Sequence, residues 1–251
     1  DKRVTALQTA IQELQKARSL GYACDTINIG GGFTVCYIDA DIWNKFKSGK
    51  NLGVFAGSKD IRFFYPYGSE LSGWQQLDAI LSARTNAHTL ISDVLKIEGI
   101  RLAIEPGRSL VDQAGLTCMQ VKGVKPTSDG TYVIEVDANI NHLSEQWFGS
   151  EFCLDPIHLR KNPDEQSAPL DAAVAGNTCL EIDMLSWRKI GFTSTPKAGD
   201  ILVYANTAGY QMDSNESTFH CLPIPEKIAA FKKQGKWKWK KDSEYSFLDP
   251  M

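Results

Sequence analysis

A carboxylate and a guanidinium stand three residues apart in Glu105-Pro106-Gly107-Arg108, directly after the apolar residues 102–104. Pro106 fixes its own φ and favours an extended conformation for Glu105, while Gly107 allows positive φ or the close approach of another group. The planar fork of donors on Arg108 suits a phosphate or a carboxylate. The motif therefore predicts a polar turn that follows a buried strand and can bind an anion. In the alternative interpretation, Glu105 and Arg108 simply pair with each other.

A second polar turn lies upstream, where three consecutive glycines, Gly30, Gly31 and Gly32, follow the short apolar run 26–29. Successive glycines expose backbone N–H groups with no Cβ in the way, which is how a backbone binds phosphate. The spacing differs from GxGxxG, so it gives little support to a dinucleotide site. Two glycine turns at strand ends instead fit a cofactor phosphate at the C-terminal rim of a parallel barrel.

Two later motifs follow in chain order, Gly176-Asn-Thr-Cys-Leu-Glu-Ile-Asp183 and Gly199-Asp-Ile-Leu-Val-Tyr-Ala-Asn-Thr-Ala-Gly-Tyr210. Together with IGGGF and EPGRSLV, they resemble the fold-type III pyridoxal-phosphate decarboxylases, which include the diaminopimelate, ornithine, lysine and arginine decarboxylases. EPGRSLV is closer to the diaminopimelate branch. The resemblance implies pyridoxal 5'-phosphate as the cofactor. It also implies the last βα units of an alanine-racemase-like α/β (TIM) barrel, followed by a mainly antiparallel β-domain.

The resemblance assigns roles around this cofactor. Glu105 is similar in position to the family carboxylate that keeps the pyridine nitrogen protonated, so that the ring can accept electrons. The phosphate is expected to bind to backbone N–H groups, a charged side chain and a tyrosine, supplied by Gly30, Gly31, Gly32, Gly107, Arg108 and Tyr210. Tyr210 could equally be a half-buried aromatic residue whose hydroxyl is satisfied elsewhere.

Cys179 matches a family cysteine that reaches into the partner subunit's active site and returns a proton after CO2 leaves. A thiol of suitable pKa can do this, although a cysteine is often only a small apolar residue. The family has an acidic residue directly after this cysteine, which reads the distal amine of the substrate. Here Leu180 holds that position and Glu181 follows it, while Asp155 matches another family aspartate that contacts the amine. The expected substrate is a diamino acid, and a less basic or larger amino acid stays open.

Apolar periodicity predicts the elements that position these residues. We expect an amphipathic helix over 2–20, a strand over 26–29, a helix over about 77–96 and short β-strands over 116–124, 132–136 and 201–204. The boundary between the barrel part and the β-domain is expected near residue 112. The aromatic-rich residues 34–74 are longer than the family's usual connection and predict a lid or dimer-contact insertion. Residues 161–172 predict an exposed loop, and the basic tail from 226 a solvated surface.

The family places its Schiff-base lysine, and a histidine that stacks on the pyridine, on strands before the glycine turn, and neither is present here. We therefore expect the chain to be the C-terminal portion of a longer protein whose first half is missing or lies in another chain. The chain alone is expected to be inactive, and the complete protein to be a homodimer with shared active sites. The alternatives are a non-catalytic homologue that acts as a regulatory binding partner, and an alanine-racemase-like enzyme, against which the EPGR and cysteine motifs speak.

Composition excludes several other classes of protein. A net charge of -3, with 43% hydrophobic and 23% charged residues, predicts no attraction to nucleic acid or to an anionic membrane. Apolar runs are too short for a transmembrane helix, and the N-terminus does not resemble a signal peptide. Six cysteines without CxxC spacing and four scattered histidines favour reduced thiols in the cytoplasm over a disulfide framework or a metal site.

Overall fold

Two short parallel strands and the helices beside them form the first part of the fold. The computed structural model describes residues 2–48, 54–59, 61, 63–143, 150–214, 218 and 221–244. Helix α1 (Lys2–Ser19) confirms the predicted amphipathic helix, since its buried side chains recur at helical spacing: Leu7, Ile11 and Leu14. The other helices are α2 (Ala40–Ser48), α3 (Gly73–Leu81), α4 (Ile91–Ile97) and the single turn α5 (Tyr210–Asp213).

Strands β1 (Thr26–Asn28) and β2 (Arg101–Ala103) pair in parallel, with Ile27 opposite Leu102. Because the strands are parallel, their carboxyl ends lie at the same edge. An apolar cluster buries the pair against α1, α3 and α4; its members include Leu7, Ile11, Ile27, Ile80, Ile91, Leu95 and Ile100. The pairing therefore brings the two glycine turns of the sequence to one place.

The single helix expected over about 77–96 is wrong, because α3 ends at Leu81 and α4 begins at Ile91. The intervening residues form a turn in which His88 has a φ of 60° and Arg84 and Leu90 make an isolated β-bridge. The apolar residues fall into two groups, 77–81 and 90–95, and the polar gap between them marks the break.

A six-stranded sheet forms the second part of the fold, in the order β5-β8-β3-β4-β6-β7. In this sheet β4 and β6 run parallel and every other neighbouring pair runs antiparallel, which confirms a mainly antiparallel domain. The strands are β3 (Leu116–Pro126), β4 (Tyr132–Val136), β5 (Ile157–Leu159), β6 (Leu170–Ala175), β7 (Met184–Phe192) and β8 (Ile201–Ala205).

Three of these strands, β3, β4 and β8, were predicted from the sequence. The expected loop over 161–172 is too long, because β6 begins at Leu170 and pairs with both β4 and β7. Residues 170–175 read Leu-Asp-Ala-Ala-Val-Ala, and small residues buried on both faces give no alternating pattern.

The aromatic segment, residues 34–74, contributes to the core of the six-stranded sheet. Trp43 and Tyr67 are buried in one cluster with sheet residues such as Val121, Leu185 and Tyr204. For these two rings the structure shows a core position rather than the expected lid or dimer contact. Phe63 is 81% exposed and Trp74 75% exposed, and a lid or contact role stays a prediction for them. Residues 49–53, 60 and 62 lie outside the described part. Because this cluster unites residues on both sides of 112, the division of the chain there also stays a prediction.

The basic tail forms a hairpin of β9 (Ile228–Lys233) and β10 (Lys236–Lys241). Gln234 and Gly235 both have positive φ, which is the geometry of a two-residue hairpin turn. The rings of Trp237 and Trp239 are exposed, so the expected solvated surface is confirmed for these residues, while 245–251 lie outside the described part. Within the described residues, the helices are too short or too polar to cross a membrane.

A buried histidine, His142, is expected to make the stability of this fold depend on pH. His142 is 7% exposed in the 3-10 turn Ile140–Leu143, and its Nδ1 accepts a hydrogen bond of 2.8 Å from the N–H of Asn139. Burial lowers the pKa of His142, although the charges of Asp183 and Asp137 act in the opposite direction. The neutral imidazole is therefore the form that the folded protein favours.

We predict that His142 makes the protein less stable as the pH falls. The unfolded histidine binds a proton below a pH of about 6.5, whereas the folded one does so only at lower pH, so the free energy of unfolding decreases through that window. Urea unfolding at several pH values from neutral to mildly acidic would measure this slope. The slope should be smaller in His142→Gln, even though that variant loses the bond to Asn139. An unchanged slope in the variant would assign the pH dependence to other groups.

Candidate functional site

The two glycine turns meet at the ends of β1 and β2. The N–H of Glu105 donates to the carbonyl of Gly30 at 2.9 Å, which extends the parallel pairing past the strands. Gly30 and Gly32 have φ values of 69° and 73°, which other residues rarely adopt. A Cβ on Gly31 would overlap the carbonyl oxygen of Glu105. The first and third glycines are thus needed for conformation and the second for close approach.

The carboxylate of Glu105 is held by Asn28, the last residue of β1. Nδ2 of Asn28 donates to Oε1 of Glu105 at 2.6 Å, and Oδ1 of Asn28 accepts from the N–H of Gly30 at 2.8 Å. One amide side chain therefore orients both the carboxylate and the glycine turn. Asn28 was not among the predicted site residues, although its place directly before Ile29-Gly-Gly-Gly was a usable signal.

Arg108 lies between two aromatic rings. Its guanidinium carbon is 3.9 Å from the ring centre of Tyr65 and 5.0 Å from that of Tyr210. Arg108 begins a 3-10 turn after β2, and Tyr210 begins α5 after Gly209, which has a φ of 98°. The structure thus brings together the two side chains expected to bind phosphate, and it adds Tyr65, which the sequence analysis had not selected.

Arg3 in α1 supports the glycine turn from the other side. Its Nη2 donates to the carbonyls of Gly31 and Gly32 at 2.8 and 2.9 Å, and its guanidinium lies 5.0 Å from the ring centre of Phe33. With their carbonyls bound to Arg3, the orientation of these two peptide groups is fixed. Nothing in the spacing of the sequence indicated this contact.

A cavity of about 640 Å³ opens where these elements meet. Its walls are a glycine turn, the polar turn after β2 and a set of aromatic rings: Gly31, Gly32, Phe33, Phe63, Phe64, Tyr65, Glu105, Gly107, Arg108, Ser150 and Tyr210. Of the residues predicted to bind a cofactor, Gly30 does not line the cavity but holds Glu105 through its carbonyl. A site of this volume, with few polar groups among aromatic walls, is typical of a small-molecule pocket.

The predicted substrate residue Asp155 lies outside this lining and forms an ion pair. Its Oδ1 accepts from Nη2 of Arg188 at 2.6 Å. Arg188 also lies beside the buried Glu151, which accepts hydrogen bonds from Ser186 and from backbone N–H groups of β7. Burial alone would lower the pKa of Arg188, but the carboxylates of Asp155 and Glu151 raise it overall.

Cys179 and Glu181 lie in an exposed loop, also outside the lining of the cavity. Asp183 organises this loop: its carboxylate accepts from the N–H and the hydroxyl of Thr178 at 3.0 and 2.5 Å and from the N–H of Ile140 at 2.7 Å. A Cβ on Gly176 would overlap that carboxylate. The loop is therefore tied to the sheet at its base while Cys179 is exposed at the surface.

The family assignment follows from comparison with known sequences. Residues 21–208 match the family model "pyridoxal-dependent decarboxylase, C-terminal sheet domain". The chain belongs to the pyridoxal-dependent decarboxylase family. It is 38% identical over 229 residues to the uncharacterized protein y4yA of Sinorhizobium fredii, covering 91% of this chain and 50% of that protein. It is 24% identical over 231 residues to the diaminopimelate decarboxylase of Staphylococcus aureus, covering 92% of this chain and 45% of that enzyme.

Solved structures of the family share the fold. The diaminopimelate decarboxylase of Helicobacter pylori complexed with L-lysine superposes with a TM-score of 0.58 at 18% identity, covering 95% of this chain and 48% of that one. The arginine decarboxylase of Paramecium bursaria Chlorella virus bound to agmatine gives a TM-score of 0.56 at 19% identity, covering 88% and 48%. The chain spans half or less of the length of these relatives. The chain thus corresponds to the C-terminal portion of the fold-type III pyridoxal-phosphate decarboxylase family, which confirms the resemblance read from its motifs.

The cofactor of this family is pyridoxal 5'-phosphate, and the residues of the cavity fit it. Gly31, Gly32 and Gly107 line the cavity without side chains, Arg108 supplies a cation for a phosphate, and Glu105 supplies a carboxylate for a protonated pyridine nitrogen.

We predict that Gly31→Ala greatly weakens binding of pyridoxal 5'-phosphate, by at least about tenfold, because the new methyl group pushes the two turns apart. Gly123→Ala is the matched control. It lies in β3, outside the lining of the cavity, and its Cβ would meet nothing within 4 Å, so this variant should bind within about twofold of wild type. Titration of the cofactor by its absorbance measures both. Equal effects of the two substitutions would contradict the close approach at Gly31.

Proposed function

We propose that the complete protein is a pyridoxal-phosphate-dependent amino-acid decarboxylase whose substrate is a diamino acid of the diaminopimelate, ornithine or lysine kind. The observation that carries the proposal is the meeting of the glycine turn and the Glu105–Arg108 turn at one cavity, in a chain of the decarboxylase family. Support for the substrate class comes from the relatives, which include diaminopimelate decarboxylases and a structure complexed with L-lysine.

The proposal includes the architecture of the complete site. Strands β1 and β2, with α1, α3 and α4, would be the last βα units of an α/β barrel. The other barrel strands, and the lysine that holds the cofactor, would come from residues outside this chain. The edge at which both turns lie would then be the C-terminal rim, where barrels of this type place their active sites.

Pyridoxal phosphate, when bound, supplies an electron sink: it accepts the electron pair of the bond between the substrate carbon and the departing carboxylate. In the proposed mechanism Glu105 would lie beside the pyridine nitrogen and keep a proton on it. Asn28, which donates to Glu105 at 2.6 Å, holds the carboxylate in place. Backbone N–H groups of the glycine turn and of Gly107, with Arg108 and Tyr210, would bind the phosphate and so orient the ring.

Cys179 has a role in this mechanism only if a second subunit is present. It lies outside the cavity of its own chain, in an exposed loop anchored by Asp183. We propose a homodimer in which this loop enters the partner's cavity, where the thiol returns a proton to the substrate carbon after CO2 has left. Exposed apolar side chains beside it, Leu180 and Ile182, suit burial in such an interface.

The distal amine of the substrate would be bound by Glu181 from the same loop. Asp155 can take part only by sharing its carboxylate with Arg188, to which it is bound at 2.6 Å. Glu181 is offset by one residue from the family's acidic position. Because of this offset, the family pattern does not define the length and charge of the preferred substrate, and a direct assay has to determine them.

The experiment that tests this function is an assay of the full-length protein for CO2 release from carboxyl-labelled amino acids. The panel should contain diaminopimelate, ornithine, lysine and arginine, with leucine and phenylalanine as substrates without a distal charge. We expect the highest kcat/KM with a diamino acid. Preference for an uncharged side chain would overturn the substrate class. Bound cofactor without CO2 release from any of them would favour the non-catalytic homologue.

We predict that Glu105→Gln lowers kcat by about 10²- to 10⁴-fold and changes cofactor affinity much less. The amide keeps an acceptor for Asn28 but removes the negative charge beside the ring nitrogen. Stopped-flow turnover and cofactor titration separate the two effects. Equal losses in turnover and affinity would show that Glu105 binds the cofactor rather than tuning it.

We predict that Cys179→Ala leaves the dimer intact and either slows turnover by about 10- to 100-fold or misdirects the final protonation. Cys118→Ala, at another exposed thiol, is the control and should behave as wild type. Sedimentation gives the oligomeric state, and product analysis in D2O reports the protonation step. Wild-type rate and product in Cys179→Ala would make this cysteine a surface residue without a catalytic role.

Mixing subunits tests whether the sites are shared. Glu105→Gln and Cys179→Ala chains, each impaired alone, should regain activity with the correct product when they form mixed dimers, because one of the two sites then has neither substitution. Random mixing gives on the order of a quarter of wild-type activity. Failure to recover, with mixed dimers demonstrated, would show that both residues serve the same chain's site.

A further inference from the structure

The guanidinium of Arg108 is stacked on a ring that neither glycine turn supplies. Tyr65 belongs to the aromatic segment, and its ring centre lies 3.9 Å from the guanidinium carbon, closer than the 5.0 Å to Tyr210. Tyr210 and Arg108 both belong to motifs expected to bind the phosphate. Tyr65 lies in the connection between the two turns, and it also lines the cavity.

Tyr65 is itself held by the core of the protein. Its hydroxyl accepts a hydrogen bond of 3.0 Å from the N–H of Val35. Its ring packs edge-on against Tyr37 at 5.9 Å and Tyr67 at 5.7 Å. Tyr67 is fully buried, and its hydroxyl donates to the carbonyl of Glu151 at 2.9 Å. The ring under Arg108 is therefore anchored to the six-stranded sheet.

Such a stack decides where the donors of an arginine point. An unrestrained arginine side chain has many rotamers, and ordering it costs up to about 2 kcal/mol. A ring against the guanidinium face fixes its plane, and with it the direction of the N–H groups, which lie at the edge of that plane. A ring anchored in the core fixes the plane more firmly than an exposed one.

We infer that Tyr65 is a positioning residue for the phosphate: it holds Arg108 in the plane that binds the cofactor's phosphate group, and so couples the aromatic segment to cofactor affinity. The inference rests on the proposed function only in taking the cavity as the cofactor site. It gives part of the unusually long connection between the two glycine turns a definite role.

The test is a double-mutant cycle read by affinity rather than activity. In the full-length protein, Tyr65→Leu should weaken binding of pyridoxal 5'-phosphate by about 3- to 30-fold, the range that corresponds to loss of a cation–π contact. Tyr65→Phe keeps the ring and should restore most of the affinity. In the Arg108→Gln background, Tyr65→Leu should change the affinity by less than about twofold, because the side chain that it positions is gone.

Two controls separate positioning from general damage to the aromatic core. Pyridoxal, which lacks the phosphate, should bind equally to wild type and Tyr65→Leu. Phe46→Leu removes a ring that stacks on Trp43 at 5.5 Å in the same core cluster, and it should leave the affinity for the phosphorylated cofactor near that of wild type.

The inference is overturned if Tyr65→Leu weakens phosphorylated and unphosphorylated cofactor alike, if it has the same effect with and without Arg108, or if it has no effect. These readouts do not depend on turnover. A protein that shows the expected affinity pattern but releases no CO2 from any amino acid would refute the proposed function and support the inference. A wild-type protein that does not bind the cofactor at all would refute both.

Discussion

The site depends first on the parallel pairing of β1 and β2. Their register, with Asn28 opposite Ala103, places both carboxyl ends at one edge, and the bond from the N–H of Glu105 to the carbonyl of Gly30 carries the pairing into the turns. At that point the two backbones approach so closely that only a glycine fits at position 31. The direction of Glu105 and the starting position of Arg108 both follow from this contact, so the cavity forms only if the strands pair in this register.

A second constraint acts from the six-stranded sheet. The aromatic segment leaves the glycine turn and buries Trp43 and Tyr67 against β-strands on the far side of residue 112. In doing so it carries Tyr65 back to the site, against Arg108. Tyr210, which also contacts Arg108, follows the C-terminal end of β8. Two parts of the fold therefore form the walls of the cavity. The packing of the sheet core fixes the distance between the turn that follows β2 and the rings of the aromatic segment and of α5.

The sequence was informative where the chemistry is local. Three glycines after an apolar run, and a proline and glycine beside Glu105, restrict the backbone so strongly that the two turns could be predicted with their residues. Arg3 and Tyr65 could not, because their partners lie 28 or more positions away and only pairing of distant segments brings them into contact. Asn28 carried a local signal beside the glycines, but its contact with Glu105 spans 77 positions. The prediction of one helix over 77–96 was wrong for a different reason. An apolar period that continues across a polar gap does not require a continuous helix. Strand β6 was missed because buried alanines carry no alternating pattern.

The charges around the cavity bear on how a complete site must be built. Among the described residues that line it, Glu105 is the one carboxylate, and the proposed mechanism uses it at the pyridine nitrogen. A diamino acid brings a second ammonium group, which is costly to bury without an anionic partner. Of the two candidates in this chain, Asp155 is bound to Arg188, and Glu181 lies on the exposed loop with Cys179. If the substrate is a diamino acid, as proposed, the described lining supplies no second carboxylate for its distal amine. In the proposed homodimer the loop 176–183 of the second subunit would bring such a carboxylate, Glu181, together with a proton donor, Cys179. In the proposed dimer one exposed loop would supply two functions that the described lining of the cavity does not, and this is the physical argument for proposing an active site completed by a partner.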